Sequence, residues 1–526
     1  MKSIAKINHY YLTIILIIFT LAAFLRFSYL SDYPLGANPD ELSNIYDGYS
    51  ISKTGADRWG QKYPTILRGL GENDNRPPMY AWLVASSMKV FGKSITAGRF
   101  PAAFIGILSI ILLFFVAKRI GGQLFGLIAI FFAAISPWHI FYSRYGLEGT
   151  TLPSFFIILS LFLWQKYKET DQKLFYIILL GFCNGLATNA YQATKVIFLL
   201  LSILIVFDVF WTEKNKIKAT FFLGIATIIG ALPQIYTLIA LPDRFFARIK
   251  GTVNTEISNI DFLKSLFLNF YQNLKPGYLF LSFGKYNYFT FGRLLKIEAL
   301  FFYLGVVVFI YVFRKYKPIK PVYFLIITFI CLLPSAITTD NPNAIRTSAV
   351  VILYPIFTAS GVYFIYQFIK NRNLKIIFFA VIFLFSLQIS FSNHKEYTNS
   401  IPMRDAGQQT IFVKAFEKLN NYQNKYPKIY IYTPRSQGYL YLAFFTNIEP
   451  EIFQKLPKTR MPGGWDYIRR VGKYYFINEN ELQKITENNI SNAMLMSQIK
   501  NDKLSLIDSV RFESESFYFY KSPKAL

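Results

Sequence analysis

Residues 11–41 read YLTIILIIFTLAAFLRFSYLSDYPLGANPDE. The run Tyr11–Leu30 carries one charge, Arg26, and at about 20 residues it is long enough to cross the hydrocarbon core of a bilayer. A cleaved signal would have a shorter apolar region and a small-residue cleavage site. Here the chain instead passes into a polar turn, so the stretch reads as an uncleaved first helix. Lys2 and Lys6 precede it, and Asp40-Glu41 follow it.

Similar apolar stretches recur along the chain, from Thr96–Val116 and Gly122–Trp138 to Ser348–Phe368 and Ile376–Phe391. About eleven spans are expected, Leu152–Trp164 being the weakest. Composition agrees. Of 526 residues, 53% are hydrophobic and only 16% charged, with 54 Phe and 37 Tyr. A soluble domain carries about a quarter charged residues. A disordered chain and an ordinary cytosolic enzyme are excluded, which leaves a polytopic membrane protein.

The chain has 56 Lys and Arg against 30 Asp and Glu, a net charge of +26. Such an excess can signal nucleic acid, but membrane proteins also collect Lys and Arg in cytoplasmic loops. With Lys2 and Lys6 cytoplasmic, alternation puts five short loops on that side. They hold Lys118-Arg119, Lys166/Lys168/Lys173, Lys214/Lys216/Lys218, Arg314/Lys315/Lys317/Lys320 and Lys370/Arg372/Lys375. All are basic, so the charge reads as orientation and no nucleic acid is expected.

The other face then receives the long loops 31–95 and 242–296, the segment SPWHIFYSRYGLEGT, residues 191–195, and TTDNPNAIR at 338–346. The tail also falls there. In it, Gln408–Tyr422 has Ile411, Phe412, Ala415, Phe416 and Leu419 at helical spacing, and 428–434, 473–478 and SFYFYKS read as strands. The expected division is 1–392, a transmembrane domain, and 393–526, a small extracytoplasmic α/β domain. Cys183 and Cys331 lie in apolar runs outside any CxxC motif, and with three histidines no His- or Cys-based metal centre is expected.

Candidate chemistry gathers in the outer segments. Asp40 and Glu41 can supply a general base or part of a metal site, or be a solvated acidic loop. Arg144 and Glu148 are four apart, where they can pair on a helix or mark a site. His139 reads as a packing or hydrogen-bonding interfacial residue. Lys195 and Arg346, with Tyr191 nearby, can clamp a phosphate or snorkel to headgroups.

Taken in order, GANPDELSNIYDGYSISKTGADRWGQKYP, RPPMYAWLVASSMKVFG, AGRFPAAFIG and AISPWHIFYSRYGLE closely resemble the N-terminal half of GT-C-fold glycosyltransferases. The group is that of the protein O-mannosyltransferases and aminoarabinose transferases. LATNAYQATK and TTDNPNAIRTSAVVILYPIF resemble its later outer segments, and the resemblance spans roughly residues 10–395. It implies an α-helical polytopic GT-C membrane fold and inverting transfer of a sugar from a polyprenyl-phosphate carrier at the outer face. The acceptor class stays open among protein, lipid and glycan. Asp40 matches the family's catalytic base, with Glu41 beside it, and Glu148 matches the acidic position of the second outer loop. Arg76, Arg144, Lys195 and Arg346 become candidates for the donor phosphate, Arg346 foremost, with Tyr191 in the same outer segment as Lys195. No cofactor is required, although Asp40 and Glu148 could hold a divalent metal. Gly284-Lys285 stands where relatives often show Gly-Asp. A glycan polymerase or ligase, or a lipid-linked sugar transporter, is the competing reading.

Overall fold

The computed structural model describes residues 9–252, 259–281, 291–316, 318–405, 407–434, 437–446, 448–457, 459–460, 464–487 and 492–521. Lys2, Lys6, Gly284, Lys285 and Lys317 lie outside them. The chain divides into two compact units. The first comprises 1–30, 77–80 and 99–403, and the second 31–76, 81–98 and 404–526. Residues 31–76 and 81–98, which the sequence presents as an outer loop of the membrane domain, thus cluster with the tail.

The first unit is helical. Among the described residues six helices are long and apolar enough to cross a membrane: His9–Phe27, Ile95–Ile135, Gln192–Thr212, Lys216–Ala240, Ser348–Phe368 and Arg372–Asn399. Lys173–Ala187, Glu298–Val312 and Pro321–Ala336 are shorter apolar helices. The 41-residue Ile95–Ile135 element is two helices joined at Gly122, whose φ of 84° and ψ of −176° interrupt the helical backbone. Only glycine takes such a conformation without strain. This break separates the two apolar runs read from the sequence.

Glycines also set the closest helix pairs. A Cβ on Gly185 would strike the Thr227 carbonyl, and one on Gly230 the Phe182 carbonyl, so Lys173–Ala187 and Lys216–Ala240 meet backbone to backbone. Gly305 and Gly361 do the same for Glu298–Val312 and Tyr354–Phe368. Lipid tails supply no hydrophobic drive between helices, and such small-residue seams replace it with close van der Waals contact.

Two buried arginines close helix ends in this unit. Arg26 donates to the carbonyls of Ala22, Ala133 and Ala134, each at 3.0 Å, and to His139 Nδ1 at 2.9 Å. Arg144 donates to the carbonyls of Leu25, Ser28 and Tyr29 at 2.9, 2.6 and 2.9 Å. Last-turn carbonyls have no partner within their own helix, and a guanidinium can satisfy several at once.

The second unit is built on a six-stranded sheet of order Arg470–Val471, Tyr474–Phe476, Lys428–Tyr432, Ala493–Ser497, Glu515–Lys521, Ser505–Phe512. Lys428–Tyr432 runs parallel to both neighbours and the remaining pairings are antiparallel. Helix Thr410–Leu419 buries Ile411, Phe412, Ala415, Phe416 and Leu419, the expected apolar face. Phe412 packs its ring at 5.2 Å from both Tyr441 and Phe517.

Residues 31–76 are stitched to this module. Arg68 makes a two-point ion pair with Asp466, Nε to Oδ2 being 2.8 Å. Gln454 Nε2 donates to Ser50 Oγ and Thr54 Oγ1 at 2.9 and 2.8 Å. Tyr441 donates its hydroxyl to the Ala37 carbonyl at 2.7 Å. Within the segment Arg58 is fully buried, its Nη1 2.5 Å from Asp47 Oδ2 and 3.1 Å from the Ser43 carbonyl.

Candidate functional site

In the second unit the acidic dipeptide opens helix Pro39–Thr54. Asn38 is its N-cap, accepting from the Glu41 amide at 2.8 Å, and Pro39 takes the first helical position, where its missing N–H costs nothing. Carboxylates in the first turn also face the positive end of the helix dipole. The helix turns the two neighbours apart. Glu41 is completely buried, whereas the Asp40 side chain is 58% exposed.

Asp40 is held from one side only. Arg76 Nη2 lies 2.5 Å from Asp40 Oδ1 and 2.5 Å from Asp74 Oδ2, while Nη1 donates to the Asp40 carbonyl at 3.1 Å and Ser43 Oγ at 2.9 Å. Arg76 is itself buried, on a short antiparallel pair in which Leu67 faces Arg76. A fixed guanidinium thus presents an exposed carboxylate in one orientation. Arg76, expected as a phosphate ligand, is here an anchor for Asp40. Among the described residues no group of three or more His, Cys, Asp or Glu side chains stands together as a metal would need. The cation between Asp40 and Asp74 is Arg76.

The first unit holds the remaining candidates. Residues 143–151 are turns, bends and irregular chain rather than helix, and Arg144 donates to the three carbonyls described above. His139 accepts from Arg26 at Nδ1, in line with a hydrogen-bonding role, which assigns its proton to Nε2. Glu148 is buried, and the next residue brings the segments together. A Cβ on Gly149 would lie 2.6 Å from Ile345 and 3.0 Å from the Tyr191 ring. The Glu148 loop, Tyr191 and the Ile345–Arg346 segment are therefore neighbours.

Arg346 is fixed by a polar knot. Asn343 Oδ1 accepts its amide at 3.1 Å, and Arg346 Nη1 donates to Thr338 Oγ1 at 2.5 Å. Asn341 Oδ1 accepts from Ser335 Oγ at 2.8 Å and from Asn273 Nδ2 at 2.6 Å, which ties the loop to helix Asn259–Leu274. Lys195 lies one turn beyond Tyr191 on helix Gln192–Thr212. Its Nζ is buried, has no hydrogen-bond partner among the described residues and stands 3.8 Å from the centroid of Phe245. An ammonium covered only by a ring face has cation–π attraction but unused donors.

Sequence reasoning missed Arg293. It is buried, its guanidinium 3.6 Å over Tyr278 and 5.7 Å over Trp138, and Nη1 donates to the Tyr278 carbonyl at 2.7 Å. No motif announces it, because its partners Tyr278 and Trp138 come from two separate segments. Asp74 and the Asp47–Arg58 pair were likewise visible only as loop charges.

With this geometry in hand, the chain can be set beside known proteins. ArnT from Cupriavidus metallidurans in the apo state superposes with a TM-score of 0.57, covering 97% of both chains at 11% identity. The chain has a GT-C fold. The same protein bound to undecaprenyl phosphate matches with a TM-score of 0.53 over 97% of both chains at 12% identity. The Archaeoglobus fulgidus oligosaccharyltransferase in its apo form matches at 0.50, covering 84% of this chain and 64% of that one at 14% identity. The family model for dolichyl-phosphate-mannose-protein mannosyltransferase matches residues 75–236 of this GT-C chain. That match covers about a third of the chain, 162 of 526 residues. An uncharacterized protein of Aquifex aeolicus (strain VF5) is 32% identical over 109 residues, 20% of this chain. The chain spans about a fifth of that relative, 22% of its length.

Proposed function

We propose that this protein is an inverting glycosyltransferase that moves a sugar from a polyprenyl-phosphate carrier to an acceptor hydroxyl at the outer face of the membrane. The observation that carries the proposal is Asp40, a carboxylate exposed at a helix start and oriented from behind by the buried Arg76. Asp40 takes the proton from the acceptor hydroxyl as its oxygen attacks the anomeric carbon. The bond from that carbon to the phosphate oxygen breaks, and the polyprenyl phosphate leaves. Charge grows on the leaving phosphate, and cations lower the barrier where it grows. Lys195, with unused donors, and Arg346, held in its knot, are assigned to that phosphate. The bound undecaprenyl phosphate of the ArnT structure supports a lipid-phosphate donor. The acceptor class, protein, lipid or glycan, is left to experiment.

The test supplies polyprenyl-phosphate sugar and acceptor to purified protein. Asp40→Asn is expected to lower kcat by about 10²–10⁴-fold, the range of general-base catalysis. Unchanged transfer by a folded Asp40→Asn protein would overturn the base assignment.

A further inference from the structure

A second cavity lies far along the chain from these residues, among the short lysine-rich loops of the first unit. It has a volume of about 500 Å³ and opens beside the starts of helices Lys173–Ala187 and Lys216–Ala240. Lys173, Glu213, Lys214 and Lys218 line it, with Leu174 and Ile177 as apolar surface. Glu213 is already committed, accepting from Lys173 Nζ at 2.8 Å and Lys168 Nζ at 3.4 Å. Lys168 also pairs with Asp208 at 2.7 Å. Lys214 and Lys218 are exposed, and among the described residues neither has an acidic partner. The cavity therefore has uncompensated positive charge.

The same two helices present large apolar side chains outward. Phe175 on one and Ile217 and Phe221 on the other are 59%, 78% and 58% exposed. In a polytopic protein these faces meet lipid tails. Headgroup-sized polar space bearing spare lysines stands next to a tail-facing surface. A free anion would use only the lysines. An anionic lipid uses both halves, and basic pockets between spans recognise such headgroups.

We propose that this cavity binds the headgroup of an anionic phospholipid, its phosphate on Lys214 and Lys218 and its acyl chains along Lys173–Ala187 and Lys216–Ala240. The proposal requires membrane insertion only and is independent of the transfer reaction.

Purified full-length protein in neutral detergent is titrated with dioleoyl phosphatidylglycerol or dioleoyl phosphatidylcholine, and bound lipid is counted by native mass spectrometry. Phosphatidylglycerol is expected to bind the more tightly. Each lysine near an anionic surface contributes about fivefold, so Lys214→Gln with Lys218→Gln should weaken it about 25-fold. Lys370→Gln with Arg372→Gln, in another basic loop, should not. The charge-preserving pair Lys214→Arg and Lys218→Arg should bind as the wild type does. Equal binding of both lipids, wild-type affinity in the double Gln variant, or full displacement by millimolar inorganic phosphate would overturn the lipid assignment.

Discussion

At the scale of single residues, adjacency in sequence is a poor guide to role. Asp40 and Glu41 are indistinguishable as a dipeptide, yet one is exposed and the other completely buried. Their difference comes from the phase of a helix packed on its neighbours, which spacing alone does not set. Lys195 is a similar case. Its buried ammonium has no hydrogen bond among the described residues, so Lys195→Gln should leave the thermal midpoint close to wild type while raising the donor KM about tenfold, as expected for losing one phosphate contact. An unchanged KM would remove it from the phosphate site. Lys93 provides a pH test of the second unit. Burial pushes its ammonium down from an ordinary 10.5 to about 8, against a weaker upward pull from Glu449. A lowered pKa favours the neutral form on folding. Its contribution to stability is complete above 10.5 and is lost as pH falls through about 8. Between about pH 10 and pH 7 the wild type should therefore lose stability relative to Lys93→Met, read as the difference in thermal midpoints.

At the scale of elements, much was legible in advance. Hydropathy alone separates Thr96–Val116 from Gly122–Trp138, and the structure breaks the helix at Gly122, where positive φ demands glycine. The face of Thr410–Leu419 follows from its spacing, because a helix on a sheet buries one stripe. What periodicity does not show is which glycines carry a helix contact. Gly185 and Gly224 both sit in apolar helices. A Cβ at Gly185 meets the Thr227 carbonyl, whereas at Gly224 nothing lies within 4 Å. Gly185→Ala should lower the thermal midpoint through a clash of about 1–3 kcal/mol, while Gly224→Ala should be neutral or stabilising through helix propensity. Equal effects would show that the seam is not a tight contact.

At the scale of the whole molecule, the second unit draws residues 31–76, 81–98 and 404–526 into one body, and nothing local in the sequence indicates it. The bonds responsible, Arg68 to Asp466 and Gln454 to Thr54, join positions about 400 residues apart, at separations of 398 and 400. They use residue types that are common on any surface. The expected tail domain was recognised as a fold, but its purpose was not. It holds the loop that carries Asp40. Asp466 is buried, and removing one partner of a buried ion pair costs about 3–5 kcal/mol. Asp466→Ala should therefore make residues 55–76 protease-sensitive and lower transfer activity, although Asp466 touches no candidate catalytic group. Protection and activity equal to wild type would show that the stitch is dispensable.

That stitch has a consequence for the order of events during biosynthesis. Asp40 leaves the ribosome about 400 residues before Gln454 and Asp466, with most of the other unit synthesised in between. A chain grows from its N-terminus, and contacts so distant in sequence form late. The carboxylate helix therefore has only its local partners, Arg76 and Arg58 among them, until the later segment arrives to brace it. A chain interrupted before residue 466 would lack that brace, so the long-range stitch makes activity contingent on synthesis beyond that residue.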